Sequence, residues 1–490
     1  MKISIISILI VATFLHNIAP SVARSYQPDG EILIAQRSSA EAIFHQGKQK
    51  YEQRKYKEAI ASFDGAILLK PDFIQALVYR GLAYKKLGKL EEAINDYTQA
   101  LALSAKDQKM QSLIHYNRGL AYSDIRKTQE SIDDFTLAIQ FNSQDAEAYY
   151  QRGFILAEKS NIQAAISDFS KAISLDRSYL SAYAQRGITL NGYLGNLPAA
   201  TSDFIKAVRF KPKDADDYWN RGSAHSALGN FKAALADFTE ALRLNPNYSR
   251  AYSSRVGIRY LLGDQKGAKA DLAQAMKIML SKNLPDAGVL NALVTLSFHE
   301  LESEPELLQQ ISDLADLAVK NSPEDAITHI ILGNIRNLQG NSSAALENFN
   351  QVISLTPESA IAYYLRAKIW SQPRNTNNAI MDLTQAISLS PNFAEAYLAR
   401  GIALRERGEP QATDDFNQAI RIYTEVIRLN PNGAVAYFSR GKAYLQVGNT
   451  RSSFSDWLQA AKLLRKQGIK STISQCQQSS RANFRDLLCR

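Results

Sequence analysis

The sequence predicts an all-α fold, a right-handed superhelical solenoid of stacked antiparallel helix pairs, and three observations carry that expectation. A glycine or another small residue recurs at 47, 81, 119, 153, 187, 222, 256, 333, 367, 401 and 441, most often 34 residues apart. A proline recurs toward the end of the unit, at 71, 212, 246, 357, 391 and 431. Between these marks apolar residues fall three and four apart, the spacing that places them on one stripe of a helix.

Length and composition agree. A chain of 490 residues exceeds the roughly 250 to 300 at which a single core stops growing, so it must divide or repeat. With 45% hydrophobic and 21% charged residues, and with Gly and Pro sparse, the composition is that of a folded chain, not a disordered or collagen-like one.

Along the chain, residues 1–23 read as a signal peptide. Lys2 precedes an uncharged apolar run from Ile3 to Leu15, and Ser21-Val22-Ala23 supplies a small-x-small cleavage pattern. The competing reading is an uncleaved N-terminal membrane anchor extending to Ala19. The signal reading places the mature chain outside the cytoplasm, in the periplasm, secreted, or in an equivalent lumen. Residues 24–39 are then a flexible N-terminal segment.

From Ala40 the repeat takes over, and each unit reads as a helical hairpin. The small residue marks where the first helix crosses the second, since a bulkier one would wedge the pair beyond the usual interaxial 8 to 10 Å. Gly88, Gly229, Gly263, Gly340, Gly408 and Gly448 suit the left-handed residue that ends the first helix. The recurrent proline stops the second, because its ring lacks the N–H that helix continuation needs. Pro198 and Pro410 fall where second helices begin, a tolerated place.

The sixth unit shows the whole pattern, with Tyr218, Gly222, Gly229, Ala234, Phe238, Ala241 and Pro246 at repeat positions 4, 8, 15, 20, 24, 27 and 32. This resembles the tetratricopeptide repeat (TPR) family, and the resemblance extends over nearly all of residues 40–467. It yields a first array of seven repeats (40–282), a degenerate hairpin that reads as a hinge or a rigid bend (283–325), a second array of four repeats (326–467) and a basic C-terminal capping tail (468–490). Four extra residues fall near Lys109 at the start of the third repeat. The second helix of the eleventh contains both Phe416 to Ile420 and Tyr423 to Ile427, in effect two added turns, so it is expected to protrude.

An arginine precedes the small residue wherever an aspartate precedes position 24, which pairs Arg80 with Asp96, Arg118 with Asp134, Arg152 with Asp168, Arg186 with Asp203 and Arg221 with Asp237. The same coincidence holds at Arg255 and Asp271, Arg366 and Asp382, Arg400 and Asp415, and Arg440 and Asp456. Repeats 1 and 9 lack both members. Joint presence predicts a ladder of structural ion pairs, each charge arriving with its counter-ion. The alternative is a track that binds phosphate or carboxylate.

The family resemblance implies a concave groove lined by the first helices, which holds an extended peptide or a partner helix. Carried onto this chain, the groove residues are Tyr116, Asn117, Leu120, Tyr150, Gln151, Phe154, Gln185, Ile188, Trp219, Asn220 and Ser223. Amides there can bond a peptide backbone while aromatics anchor side chains, although packing between repeats is the other use for those aromatics. Family members that clamp a C-terminal carboxylate carry Lys and Asn at positions 5 and 9. This chain lacks that signature, since Asn334 at position 9 accompanies Ile330 at position 5.

The implied role is a non-catalytic scaffold for a protein or peptide partner, with no cofactor, no metal and no small-molecule substrate. His299-Glu300 lacks the second histidine of a zinc-protease helix, and His45, His115, His225 and His329 fall in separate repeats. Nucleic acid is disfavoured because most arginines arrive already paired. A structural part of a cell-envelope assembly, such as a pilus or export machine, is the competing class, with an RNA-reading helical repeat behind it. The net charge of +9 is concentrated in the tail, a candidate for peripheral contact with an acidic surface. Cys476 and Cys489 form a disulfide in an oxidising compartment, or else remain two thiols.

Overall fold

The computed structural model describes residues 30–104, 106–281, 290, 305–370 and 375–469. Residues 1–23, read above as a signal peptide, both cysteines and nearly all of the basic tail lie outside these residues, as does most of the first half of the degenerate hairpin. Every regular element among the described residues is a helix. The chain forms two compact units, 1–143 and 144–490.

The first unit holds three hairpins: α1 (Gly30–Glu52) with α2 (Tyr56–Leu69), α3 (Ile74–Lys86) with α4 (Leu90–Leu103), and α5 (Gln108–Asp124) with α6 (Thr128–Phe141). Helix α1 begins at Gly30, so much of the segment expected to be flexible is helical. The four extra residues near Lys109 lengthen α5 by one turn at its start, where the Asp107 carboxylate caps the helix by accepting from the Met110 amide at 2.9 Å. The core is a row of position-24 rings, Phe63, Tyr97 and Phe135, each buried against the small residue of its own first helix.

The second unit opens with four more hairpins: α7 (Ala146–Glu158) with α8 (Ile162–Leu175), α9 (Leu180–Leu194) with α10 (Leu197–Ala207), α11 (Ala215–Ala227) with α12 (Phe231–Leu244), and α13 (Ser249–Leu261) with α14 (Gln265–Ser281). Among the described residues, the helix α15 (Pro305–Asn321) comes next. Four hairpins complete the unit: α16 (Ala326–Leu338) with α17 (Ser342–Leu355), α18 (Ala360–Trp370) with α19 (Thr376–Leu389), α20 (Ala394–Glu406) with α21 (Ala412–Leu429), and α22 (Ala434–Gln446) with α23 (Thr450–Gln467). The core stays continuous through the degenerate segment, as Ala275, Met279, Leu290, Ile311, Ala315, Leu332 and Ile335 form one buried cluster.

One feature of this unit has no counterpart in the repeat pattern. The second array lies along the turns that join first to second helices in repeats 4 to 7. Lys159 Nζ meets Glu324 at 3.2 Å, and Ile327 joins Ile162, Tyr193 and Leu194. Ser359 Oγ donates to the Tyr193 carbonyl at 3.4 Å, Asn430 Nδ2 donates to the Leu228 carbonyl at 3.0 Å, and Phe231 and Leu262 pack on Leu463, Leu464 and Ile469.

That contact line explains where the eleventh repeat departs from expectation. Helix α21 has 18 residues where the corresponding α12 has 14, so it gains about one turn and not two. The added turn does not protrude. Ile422, Tyr423, Val426 and Ile427 are buried, packed with Leu197 of α10, because apolar surface that would otherwise face water is covered by the first array.

Candidate functional site

Nine Arg–Asp pairs run through the described residues, at N–O distances of 2.6 to 2.8 Å. In each the guanidinium Nε and Nη2 donate to the two carboxylate oxygens, the bidentate geometry that gives arginine its strength here, as at Arg186 and Asp203 (2.7 and 2.8 Å). A third arm reaches the preceding repeat: Nη1 of Arg118, Arg186, Arg255, Arg400 and Arg440 donates to a hydroxyl on Thr98, Ser170, Thr239, Thr384 and Thr424. A tyrosine ring lies beneath most of these arginines, for example Tyr183 under Arg186. The bidentate pair ties the two helices of one hairpin together, and the Nη1 arm, where it is made, reaches back to the hairpin before, so these arginines act as struts. Where the pair is missing, Lys50 Nζ donates to Ser62 Oγ at 3.0 Å in repeat 1, and His329 meets Asn348 in repeat 9.

The groove candidates separate into two groups. Tyr116, Asn117 and Leu120 belong to the first unit, where Tyr116 packs beside the Phe135 ring and Asn117 donates to the Leu113 carbonyl on its own helix. In the second unit Tyr150, Gln151, Phe154, Trp219 and Asn220 line one cleft of about 270 Å³. Gln185 is buried beneath it, its Nε2 donating to Asn220 Oδ1 at 2.8 Å. Asn220 Nδ2 in turn donates to Ser181 Oγ and to the Asp216 carbonyl. Two amides placed on the groove are thus spent inside the wall. Ile188 is half-buried against the core, and Ser223 is half-buried on α11.

The rest of the lining comes from the segments between repeats. Tyr179 and Tyr248 immediately precede α9 and α13, Lys211 and Lys213 precede α11, and Glu147, Asp216, Asp217 and Arg250 occupy first turns of first helices. Glu147 accepts from the Tyr179 hydroxyl at 2.6 Å and from Gln151 Nε2 at 3.1 Å. Asp217 accepts from Ser181 Oγ at 2.7 Å and from the Lys213 amide at 3.1 Å. Burial, reinforced by the Asp216 carboxylate, pushes the Tyr150 and Tyr248 phenols far above their ordinary range, so both remain neutral donors. An aromatic residue just ahead of a first helix recurs at Phe73, Tyr179, Tyr248 and Phe393, and that recurrence is the signal by which sequence could have found two of these residues.

Across the cleft, Arg250 of repeat 7 reaches back to repeat 4. Its guanidinium sits 4.8 Å from the centre of the Phe154 ring and meets Glu158 at 2.5 Å. Among the described residues no cluster of three or more His, Cys, Asp or Glu side chains could hold a metal ion, and no helix is long and apolar enough to cross a membrane.

Stacked antiparallel hairpins that keep a small residue at each crossing, with a concave wall of aromatic and polar side chains, define a helical-repeat protein. Models of the tetratricopeptide repeat family match residues 74–107 and 218–248, residues 146–179, and residues 411–468. The chain is a multi-repeat tetratricopeptide protein. Such repeats generally mediate protein–protein interactions and are generally non-catalytic, which supports a protein-interaction scaffold. A comparison with curated proteins finds no match.

Similar solved structures include that of MamA, 26% identical, covering 33% of this chain and 92% of that one with a TM-score of 0.31. Pseudomonas aeruginosa pilF is 14% identical over 43% of this chain and 94% of its own (TM-score 0.36). Yeast Tom70 is 16% identical over 85% of this chain and 97% of its own (TM-score 0.34).

Proposed function

We propose that this chain is an exported, non-catalytic scaffold that binds a peptide segment of a partner protein in the cleft formed by repeats 4 to 7. The observation that supports this reading is the convergence of Tyr150, Phe154, Tyr179, Trp219 and Tyr248 on one cleft whose walls also carry carboxylates and lysines. Aromatic side chains of that kind supply most of the affinity at protein interfaces, with about 2 kcal/mol or more at each hot spot. The reading of residues 1–23 as a signal peptide supports a site of action outside the cytoplasm.

The test is crosslinking of the full chain in its own cells, with wild type beside a Tyr150→Ala, Trp219→Ala double variant, and identification of what is attached. Loss of one defined partner from the variant, with helicity unchanged by circular dichroism, supports the cleft. Capture of the same partner at the same yield by both proteins refutes it. Cell fractionation tests the location separately, since recovery of an uncleaved chain in the cytoplasm removes the export reading.

A further inference from the structure

The geometry points to a cationic side chain, the guanidinium of arginine or the ammonium of lysine, as the group that the cleft of repeats 4 to 7 recognises on its peptide. This rests on the reading of that cleft as the peptide site and specifies what it selects. Charge favours a cation. Glu147, Asp214, Asp216 and Asp217 line the cleft and Glu158 stands at its edge, while Lys211 and Lys213 are the cations of the wall apart from Arg250. Without that arginine, five carboxylates stand against two ammonium groups, and because Asp214, Asp216 and Glu158 are exposed as Lys211 and Lys213 are, screening weakens both signs alike and leaves the excess negative.

The aromatic lining favours a cation as well. Phe154, Tyr150, Trp219 and Tyr248 line the cleft together with those carboxylates, and aromatic ring faces attract cations. Asp216 is exposed on the first turn of α11, so its carboxylate is placed to meet an incoming charge.

The chain already places such a group there. Arg250 comes from repeat 7, lies over the Phe154 ring and pairs with Glu158 of repeat 4, which is the contact set a ligand arginine would make. Arg250 is therefore an internal stand-in, and a basic side chain of the partner takes its place on Phe154 and Glu158. Binding becomes an exchange of one guanidinium for another. Affinity is lowered by the competition, and neutral or acidic segments, which cannot replace Arg250, are rejected.

The test uses the purified full chain and a positional-scanning library of octapeptides in which one position is fixed in turn as Arg, Lys, citrulline, Leu or Glu. Citrulline keeps the shape of arginine without its charge. Pools fixed as Arg or Lys are expected to bind about tenfold more tightly than the citrulline and Glu pools. The preference should shrink several-fold in Asp216→Asn and grow in Arg250→Gln, which removes the competitor. Circular dichroism of Asp216→Asn checks that loss of the charge, and of its bond with the Tyr248 phenol, leaves helicity unchanged. Equal binding of the Arg and citrulline pools, or tighter binding of the Glu pools, overturns the cationic assignment and leaves the cleft as a peptide site. Failure of every pool to bind overturns both.

Discussion

Asp203 is held by one cation, Arg186, whereas Asp271 is held by two. Arg186 donates to Asp203 at 2.7 and 2.8 Å, and both Arg255 (2.6 Å) and Arg259 (3.1 Å) contact Asp271. Both carboxylates are buried. Removal of an arginine therefore leaves different residues behind in the two repeats. Arg186→Ala strands a buried charge and should cost about 3 kcal/mol or more. Arg255→Ala leaves Asp271 paired with Arg259 and should cost roughly half of that. Hydrogen exchange of α9 and α10 against that of α13 and α14 measures the two effects locally, which suits a repeat array whose unfolding need not be all-or-none. Equal losses at both sites would mean that the second arginine carries no compensation.

Asp134 and Asp96 occupy the same place in repeats 3 and 2 but titrate in opposite directions. Burial raises both carboxyls. At Asp134 the hydrogen bonds from Arg118 and His115 outweigh burial and hold the carboxyl below its ordinary value. At Asp96 burial prevails over the Arg80 bond, and Asp64, which shares Arg80, adds to the rise. Asp134 thus contributes stability above the unfolded carboxyl value of about 3.9, and that contribution is lost as pH falls through its lower folded value. The Asp96 contribution is present below about 3.9 and is lost as pH rises through its higher folded value. Carboxyl titration by NMR should place Asp134 below and Asp96 above the ordinary value, and His115→Gln should move Asp134 upward. Coincident titration of the two groups would contradict this account.

Gly195 couples the two arrays of the second unit. Its φ of 61° is the left-handed conformation, and a Cβ there would run into the Phe393 ring on the facing array. Gly195→Ala should therefore cost about 2 kcal/mol or more, from backbone strain and displacement of a buried ring together. The damage should appear as separation of the arrays. Lys159 Nζ lies 3.2 Å from the Glu324 carboxylate, so zero-length carbodiimide coupling of that pair should be rapid with Gly195 present and several-fold slower with alanine. An unchanged rate would show that the contact line does not depend on this close approach.

The repeat was legible because a hairpin can pack on its neighbour only with small residues at fixed places, and because Arg186 and Asp203, like their counterparts, come and go together. The third arm of the ladder was harder to see, since Thr98, Ser170, Thr239 and Asn350 differ in kind and sit one repeat earlier. Tyr150, Phe154 and Trp219 were found by carrying the groove positions of the tetratricopeptide family onto the repeat. Tyr179 and Tyr248 had only the recurrence of an aromatic ahead of first helices to mark them, and Asp216 had no mark, because their convergence depends on how the ends of neighbouring repeats meet. The docking of Ser359 on Tyr193 has no periodic signature at all, being a contact between residues 166 apart.

The turn between the helices of a hairpin offers a test of both signs at one structural position. Glycine holds the left-handed residue there in most repeats, yet in repeats 1, 3 and 4 it is Arg54, Arg126 and Ser160, with φ of 61°, 59° and 59°. A side chain in that conformation places its Cβ too close to the following carbonyl, at a cost of roughly 1 to 2 kcal/mol. Glycine relieves that strain but adds freedom to the unfolded chain, which returns part of the gain. Arg126→Gly should therefore stabilise the first unit by about 0.5 to 1 kcal/mol. Gly229→Ala, with φ of 79° and nothing within 4 Å of the added Cβ, should destabilise the second by about 1 kcal/mol through the backbone alone. Urea midpoints for the two variants should move in opposite directions. A fall in stability for Arg126→Gly would mean that the exposed Arg126 side chain makes a contact worth more than the strain of its backbone.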